Sequence, residues 1–138
     1  MTTPAPYSVH PIGFIHSEIK SRTDAPRQGR EGAPNAILEM LPACLEGLER
    51  MQVGDDIIVI TWLHLAQRDV LKVHPRGDPA NPLTGVFSTR SHDRPNSLGL
   101  HRVKVLQINS SHLHVGPIET IDETPVIDIK PVIESNDY

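Results

Sequence analysis

Residues 85–100, GVFSTRSHDRPNSLGL, concentrate polar side chains in one turn-like segment. Two guanidinium groups, an imidazole, a carboxylate and an amide fall within seven positions, and they are Arg90, His92, Asp93, Arg94 and Asn96. A guanidinium presents a planar fork of donors that matches a carboxylate or a phosphate. The segment is therefore a candidate site for an anionic ligand, with ordinary solvated arginines as the alternative.

Two other segments carry groups of the same kind. In APRQG, Arg27 offers a second fork of donors and Gln28 can recognise an amide or a base edge, although such a turn is often just a surface loop. In TWLHL, His64 lies where a strand is predicted to end, a position from which side chains reach pockets. A core histidine bonded to a backbone carbonyl is the favoured alternative for His64.

Asp128 and Lys130 form a candidate catalytic pair. They lie two positions apart in the apolar segment TPVIDIKPVI, so they project from the same face of a strand. They can serve as a base and a charge stabiliser at a pocket mouth. A purely structural pair is the commoner outcome for such residues.

Histidine and cysteine do not predict a metal site. The spacing of the four central histidines, His64, His74, His92 and His101, matches neither HExxH nor a zinc-finger pattern, and Cys44 is the only cysteine. A single cysteine excludes an internal disulfide and favours a reduced, cytoplasmic setting. The apolar runs are too short for a membrane span, and the N-terminus lacks the pattern of a signal peptide.

Charge is unevenly distributed along the chain. The net charge of −4 over 138 residues argues against a general nucleic-acid binder. Residues 62–104, however, contain seven Lys and Arg against three Asp and Glu, while the remainder contains six against fourteen. This central window is the candidate surface for an anionic partner.

The elements that must position these residues are mostly strands. Segments rich in Val and Ile alternate with turn-forming clusters, and these segments are YSVHPIGFIH, DDIIVITWLHL, GVFST, HRVKVLQI, HLHVG and TPVIDIKPVI. The helical spacing of Leu45, Leu48 and Met51 predicts one short helix near residues 41–50. Two connections, roughly residues 17–34 and 66–84, are long enough to be functional loops.

About six to eight short strands must close on themselves or cover their edges. We therefore predict an all-β fold, a small barrel with one short helix, formed by residues 1–138 as a single domain with flexible ends at about 1–6 and 133–138. No GxGxxG loop, nucleophile elbow or P-loop is present, so a Rossmann-type cofactor site is not expected.

Taken together and in this order, the segments resemble the TsaA-like (TrmO) family of tRNA N6-threonylcarbamoyladenosine methyltransferases. PIGFIHS at residues 11–17, PRQ at 26–28 and GLE at 47–49 belong to this resemblance. Residues 85–100 match a GVFATRSxxRPNxIGL pattern, and IDETPVIDIKP matches a DGTPxxDIKPY pattern. The similarity extends from Pro11 to Pro131.

The resemblance implies a small TsaA-like β-barrel that binds S-adenosyl-L-methionine outside a Rossmann fold. It also implies a homodimer with the cofactor near the subunit interface. By motif correspondence the cofactor-binding residues are Pro26, Arg27, Gln28, His64, Leu65, Arg90, Leu100, Gly116, Pro117, Ile118 and Glu119.

The resemblance also suggests roles for individual side chains. An arginine suits the carboxylate of the methionine part of the cofactor, and Leu65 and Leu100 suit its adenine. Arg94 and Asn96 are expected to face the substrate or to brace the turn. The acceptor N6 must lose a proton, for which Asp128 is the candidate acceptor, with Lys130 stabilising the charge.

Four departures from the family pattern leave the methyl acceptor open. Glu123 replaces a glycine, Val132 a tyrosine and Ser97 a proline, and the sequence stops soon after Pro131, without the C-terminal domain of longer relatives. The leading interpretation is methylation of threonylcarbamoyladenosine in the tRNA anticodon loop. The alternatives are methyl transfer to a small molecule and a non-catalytic S-adenosylmethionine-binding regulatory module.

Overall fold

The computed structural model of the chain describes residues 3–24 and 32–136. Within these ranges the strands are β1 Gly13–His16, β2 Ala36–Met40, β3 Asp56–Trp62, β4 Lys72–Val73, β5 Thr84–Gly85, β6 Leu98–Asn109, β7 His112–Gly116 and β8 Pro125–Pro131. Short 3-10 helices lie at Arg22–Asp24, Pro42–Leu48, Pro75–Gly77 and Val86–Ser88.

Six of the strands close into a barrel in the order β1-β2-β7-β6-β3-β8. Every pairing is antiparallel, and β1 closes the sheet by pairing Gly13 with Val126 of β8. The remaining strands, β4 and β5, form a separate two-stranded ribbon. The predicted all-β, non-Rossmann barrel is confirmed.

The barrel forms because apolar residues alternate along its strands with a period of two. In β6 the side chains of His101, Val103 and Val105 are buried, while Lys104 between them is exposed. The inward side chains of all six strands build one core, which includes Ile15, Leu38, Ile57, Val59, Val103, Val105, Leu113, Val115 and Val126. The sequence pattern thus fixes which face of each strand is covered.

Three local predictions differ from the structure. GVFST is not a continuous strand, because β5 ends at Gly85 and Val86–Ser88 form a 3-10 turn closed by the Thr89 N–H to the Val86 carbonyl. The predicted helix is present as the 3-10 helix Pro42–Leu48, which has no fully buried residue. Strand β2, AILEM, was not predicted, since Ala, Leu, Glu and Met are helix-favouring residues whose extended form is imposed by pairing with β1 and β7.

Two classes of feature are absent from the described part of the chain. None of its helices has the length and apolar character needed to cross a membrane. Among the same residues no group of three or more His, Cys, Asp and Glu side chains is arranged to hold a metal ion.

Candidate functional site

A large depression of about 1990 Å³ opens beside the barrel. Its walls are the residues that follow β3, the loop that follows β5, the first half of β6 and the turn that follows β7. The 3-10 turn at Pro75–Gly77 and the residue Arg22 contribute to its rim. Segments far apart in the sequence therefore meet at one cavity.

Most of the predicted cofactor residues in the described part of the chain line this cavity, and they are His64, Leu65, Arg90, Leu100, Gly116, Pro117 and Glu119. Ile118 does not, because its side chain is fully buried in the core, where its N–H donates to the carbonyl of Pro34. Pro26, Arg27 and Gln28 lie outside the described residues.

His64 and Leu65 occupy the turn immediately after β3. Both side chains are exposed on the cavity wall, so the favoured alternative of a core histidine is wrong for His64. The turn is held from behind by Arg68, whose guanidinium lies 4.3 Å from the centre of the Trp62 ring and donates to the carbonyls of Leu63 and Ala66. This arrangement keeps the two exposed side chains on the cavity side of β3.

The loop between β5 and β6 is stabilised by Arg94. Its guanidinium donates to the carbonyls of Val86, Thr89 and Ser91 at 2.8, 2.9 and 3.1 Å, and its backbone N–H donates to Gln67. Arg94 does not line the cavity, and neither does the exposed Asn96. Of the two roles expected for Arg94, the contacts match the bracing of the turn.

Asp93 connects the same loop to two other segments. Its carboxylate accepts hydrogen bonds from the Gln67 N–H at 2.8 Å and from Arg22, whose guanidinium lies 3.1 Å away. Burial alone would raise the pKa of Asp93, but these hydrogen bonds and the positive charge of Arg22 outweigh it and lower the pKa below its usual range. Asp93 is therefore a charged anchor for Arg22 at the cavity rim.

His92 lies beside this anchor and lines the cavity. Burial lowers the pKa of His92, and the positive charges of Arg22 and His101 lower it further against the opposing effect of Glu119 and Asp93. The imidazole makes no side-chain hydrogen bond to another described residue, whereas the carbonyl of His92 accepts one from the Ser97 hydroxyl. At neutral pH the cavity thus contains a neutral imidazole that can accept a proton.

A buried hydrogen-bond chain underlies the cavity and was not predicted from the sequence. His101 Nδ1 lies 2.6 Å from Glu119 Oε1, and His101 Nε2 lies 2.8 Å from Thr61 Oγ1. From the sequence, His101 is weighed as a possible metal ligand and Glu119 is named as a cofactor-binding residue, but the two are not paired. The alternation that places His101 inside β6 is the signal that could have indicated a buried polar partner.

Asp128 and Lys130, the predicted catalytic pair, lie outside the large cavity. They form an exposed pair with 3.6 Å between Lys130 Nζ and Asp128 Oδ2, as expected for neighbours on one strand face. Neither lines the large cavity; Asp128 instead lines a second depression of about 710 Å³ beside the 3-10 helix Pro42–Leu48. Within one chain, the structure does not bring the predicted catalytic pair to the predicted cofactor residues.

The composition of the large cavity suits an anionic or polyanionic ligand. Five of its lining residues are Lys or Arg and three are Asp or Glu, and these are Arg22, Arg76, Arg90, Arg102, Lys104, Asp56, Asp93 and Glu119. The partly exposed Leu65, Leu100 and Phe87 add apolar surface on which an aromatic base can pack. Cationic donors beside apolar faces are the features that a charged nucleoside requires.

Comparison with known proteins places these features in a family context. Residues 14–138 match the model of the tRNA-methyltransferase O N-terminal domain. A protein of Methanothermobacter thermautotrophicus named "Probable S-adenosyl-L-methionine-binding protein" is 40% identical over 129 residues, which cover 94% of this chain and 92% of that protein. The "S-adenosyl-L-methionine-binding protein" of Archaeoglobus fulgidus is 39% identical over 120 residues, covering 87% of this chain and 85% of that protein.

Solved structures show the same barrel. A crystal structure of TrmO from Pseudomonas aeruginosa superposes with a TM-score of 0.77 at 30% identity and covers 100% of this chain. A second TrmO crystal structure gives a TM-score of 0.75 at 29% identity over 99% of this chain. The chain spans 60% and 59% of the lengths of those two structures.

Proposed function

Because the chain belongs to the tRNA-methyltransferase O N-terminal domain family, we propose that it is an S-adenosylmethionine-dependent methyltransferase. We propose as its acceptor N6 of threonylcarbamoyladenosine in the tRNA anticodon loop. The observation that carries the proposal is the cavity of about 1990 Å³, in which the family-implied residues meet. Small-molecule sites usually have volumes of about 300–1,000 Å³, so this cavity has room for a nucleic-acid acceptor beside a cofactor.

The cavity residues fit S-adenosylmethionine, which supplies the methyl group. Arg90 offers donors to the carboxylate of its methionine part, and Leu65 and Leu100 offer apolar surface to its adenine. Thr120 lines the same cavity, and its buried hydroxyl has no hydrogen-bond partner among the described residues. An unsatisfied buried hydroxyl costs free energy unless a ligand or water bonds it, which supports a polar ligand at this wall.

The proton of the acceptor nitrogen needs a basic group, and two candidates stand. His92 lines the cavity with a pKa lowered by burial and by the charges of Arg22 and His101, so its ring nitrogen can take the proton at neutral pH. Asp128 lies outside the cavity. The catalytic roles of Asp128 and Lys130 therefore require a second copy of the chain that brings the pair to the cavity.

A homodimer belongs to the same proposal. Leu98, Leu100 and Leu106 on the outer face of β6 are 45%, 37% and 40% exposed, and Phe87 beside the cavity is 78% exposed. Several exposed large apolar side chains on one side of a protein are characteristic of a surface that another protein covers. A monomer mass by light scattering at micromolar concentration would argue against the dimer.

A second candidate function is an S-adenosylmethionine-binding module without methyl transfer. It is favoured by the names of two archaeal relatives, 40% and 39% identical to this chain, which refer to S-adenosylmethionine binding. Transfer to a small molecule is the third possibility. The acceptor experiment separates all three.

The test uses S-adenosylmethionine with a labelled methyl group and tRNA with or without threonylcarbamoyladenosine. We expect label in the modified tRNA only, identified as the N6-methyl nucleoside by mass spectrometry, with activity that falls as salt rises because phosphate contacts release counterions. Arg76→Glu in the cavity wall, or Lys72→Glu on the adjoining strand β4, should lower turnover on tRNA without changing cofactor affinity. Lys20→Glu, which makes the same charge change outside the basic window of residues 62–104, is the control.

Cofactor binding is tested separately by calorimetry. Arg90→Ala should weaken S-adenosylmethionine binding by about 1.5–3 kcal/mol, the loss expected for a charge-assisted hydrogen bond. Unchanged affinity in a variant with an unchanged melting temperature would remove Arg90 from the site. Cofactor binding without transfer to modified tRNA at low salt would eliminate the tRNA acceptor and favour the module or a small-molecule acceptor.

A further inference from the structure

We infer that the buried chain Thr61–His101–Glu119 holds the walls of the cavity in the arrangement that binds S-adenosylmethionine, with His101 as a positioning residue. The inference rests on the proposed function, because it names the part of the fold that shapes the same site. His101 does not need to touch the cofactor to act in this way.

Two hydrogen bonds fix the orientation of the His101 imidazole in this hydrogen-bond chain. The carboxylate of Glu119 accepts from Nδ1–H of His101 at 2.6 Å, so in the neutral imidazole Nε2 accepts from the Thr61 hydroxyl at 2.8 Å. The side chains of His101 and Glu119 are only 4% and 8% exposed, and Thr61 is fully buried. Both ring nitrogens are thereby occupied and the orientation of the imidazole is determined.

Each member lies in or beside an element that supplies a different wall of the cavity, and His101 and Glu119 line the cavity themselves. Thr61 lies in β3 three residues before His64, and His101 directly follows Leu100 in β6. Glu119 closes the turn Gly116–Glu119, whose residues beyond Gly116 have left the sheet. Strands β3 and β6 are already joined by backbone pairing, and Gly116 pairs with Lys104 of β6. The bond between His101 and Glu119 adds a side-chain attachment between β6 and the part of the turn that has left the sheet.

The backbone at Gly99 leaves space for the hydrogen bond between His101 and Thr61. A Cβ atom on Gly99, which pairs with Thr61 across the sheet, would collide with the Thr61 hydroxyl and with Nε2 of His101. A glycine at this position is therefore a requirement for the imidazole to reach Thr61. It explains a glycine inside a strand, where the residue is otherwise unfavourable.

The wall that Glu119 anchors is also the wall with an unpaired polar group. Thr120, the next residue, is 1% exposed and lines the cavity, and its hydroxyl has no partner among the described residues. The bond between His101 and Glu119 restrains the position of this hydroxyl relative to Leu100, in addition to the pairing of Gly116 with Lys104. The hydrogen-bond chain thus contributes to the distance between two of the proposed cofactor-binding segments.

Two substitutions at residue 101 separate the two halves of the chain. The Asn amide occupies the place of Nδ1, so His101→Asn keeps the hydrogen bond to Glu119 and loses the one to Thr61. The Gln amide reaches the place of Nε2, so His101→Gln keeps the hydrogen bond to Thr61 and loses the one to Glu119. We expect His101→Gln to weaken S-adenosylmethionine binding about tenfold, the effect of one hydrogen bond to a charged group, and His101→Asn to remain within about threefold of the unsubstituted protein.

Val105→Ala is the matched control. Val105 lies four residues further along β6, faces the core and is 0% exposed, but it neither lines the large cavity nor takes part in the hydrogen-bond chain. Its truncation should lower the melting temperature without changing the dissociation constant. Glu119→Gln, which retains the size and a carbonyl acceptor, serves if His101→Gln does not fold, and it should weaken binding less than tenfold but measurably.

The measurements are the calorimetric dissociation constant of S-adenosylmethionine, taken well below every melting temperature, and the melting temperature without cofactor. Affinity that stays at the unsubstituted value in folded His101→Gln and Glu119→Gln would overturn the inference and leave the chain a structural feature. The same conclusion follows if Val105→Ala weakens binding as much as His101→Gln does. If the unsubstituted protein does not bind the cofactor, the proposed function and the inference both fail, whereas methyl transfer that is insensitive to these substitutions removes the inference alone.

Discussion

The His101–Glu119 pair and the Asp128–Lys130 pair each place a carboxylate beside a nitrogen group that can carry positive charge, in very different surroundings. The first joins β6 to the turn after β7 across 2.6 Å, with side chains 4% and 8% exposed. The second lies along the outside of β8 across 3.6 Å, with the side chains of Asp128 and Lys130 50% and 63% exposed. Water screens the second pair almost completely, whereas protein surrounds the first.

This difference shows that spacing in the sequence and importance in the structure need not coincide. Residues two apart on a strand always share a face, so the pairing of Asp128 with Lys130 was visible in the sequence. A carboxylate and an imidazole eighteen positions apart meet only because β6, β7 and the following turn fold back on each other. The pair that was harder to predict is the one that lines the cavity.

The sharpest test of this comparison removes the buried acceptor. Glu119→Ala leaves His101 Nδ1–H buried without its partner and should lower the free energy of unfolding by about 3 kcal/mol, as breaking a buried pair generally does. Urea denaturation measures the change. A loss as small as that of an exposed pair would show that the interior position of Glu119 has no energetic weight.

Arg94 provides an intermediate case, since it is half-buried and bonds neutral carbonyl groups. Arg94→Ala removes guanidinium contacts to Val86, Thr89 and Ser91 and should cost about 2 kcal/mol. Arg94→Lys should recover only part of this, because a single ammonium cannot span the carbonyls that a guanidinium fork reaches. Full recovery with lysine would mean that charge alone, and not the shape of the group, stabilises the loop.

The pH dependence of stability tests the electrostatics of the cavity. The pKa of His92 is lowered below 6.5 by burial and by the charges of Arg22 and His101, against the effects of Glu119 and Asp93. Between the folded pKa and 6.5 the unfolded chain binds more protons, so stability falls as pH falls through this window and is complete above it.

Replacing this histidine should flatten the profile. His92→Asn is expected to lose less stability than the unsubstituted protein when pH is lowered from about 7.5 to 5. His10→Asn, at an exposed histidine, is the control and should leave the slope unchanged. Identical slopes for all three proteins would show that His92 is not held in its neutral form.

The smallest effect is expected at the exposed pair. A double-mutant cycle on Asp128→Ala and Lys130→Ala should give a coupling energy of about 0.5 kcal/mol or less, further reduced by salt. A coupling energy that persists in high salt would indicate that another surface covers the pair, as a second copy of the chain would. That result would support the catalytic assignment of Asp128 and Lys130 in a dimer.

Much of the fold could be predicted from the sequence because its strands obey a local rule. Alternation in HRVKVLQI and the apolar segment DDIIVITWLHL predicted β6 and β3, and the number of short strands, whose edges must be closed or covered, indicated a barrel. Strand β2 escaped prediction because its residues favour a helix, and GVFST was misassigned because a turn after Gly85 interrupts it. In both segments long-range contacts overrode local preference.

The candidate site could likewise be predicted only in part from the sequence. The sequence by itself determined the barrel class, the family motifs and the segments that supply the cavity walls, because these depend on residue types at short spacing. Only the tertiary structure decided that Ile118 packs in the core, that Arg94 braces its own loop and that Asp128 lies outside the cavity. It also decided that Thr61, His101 and Glu119 form one chain, because closure of the barrel, and not any local pattern, brings residues forty and eighteen positions apart within hydrogen-bonding distance.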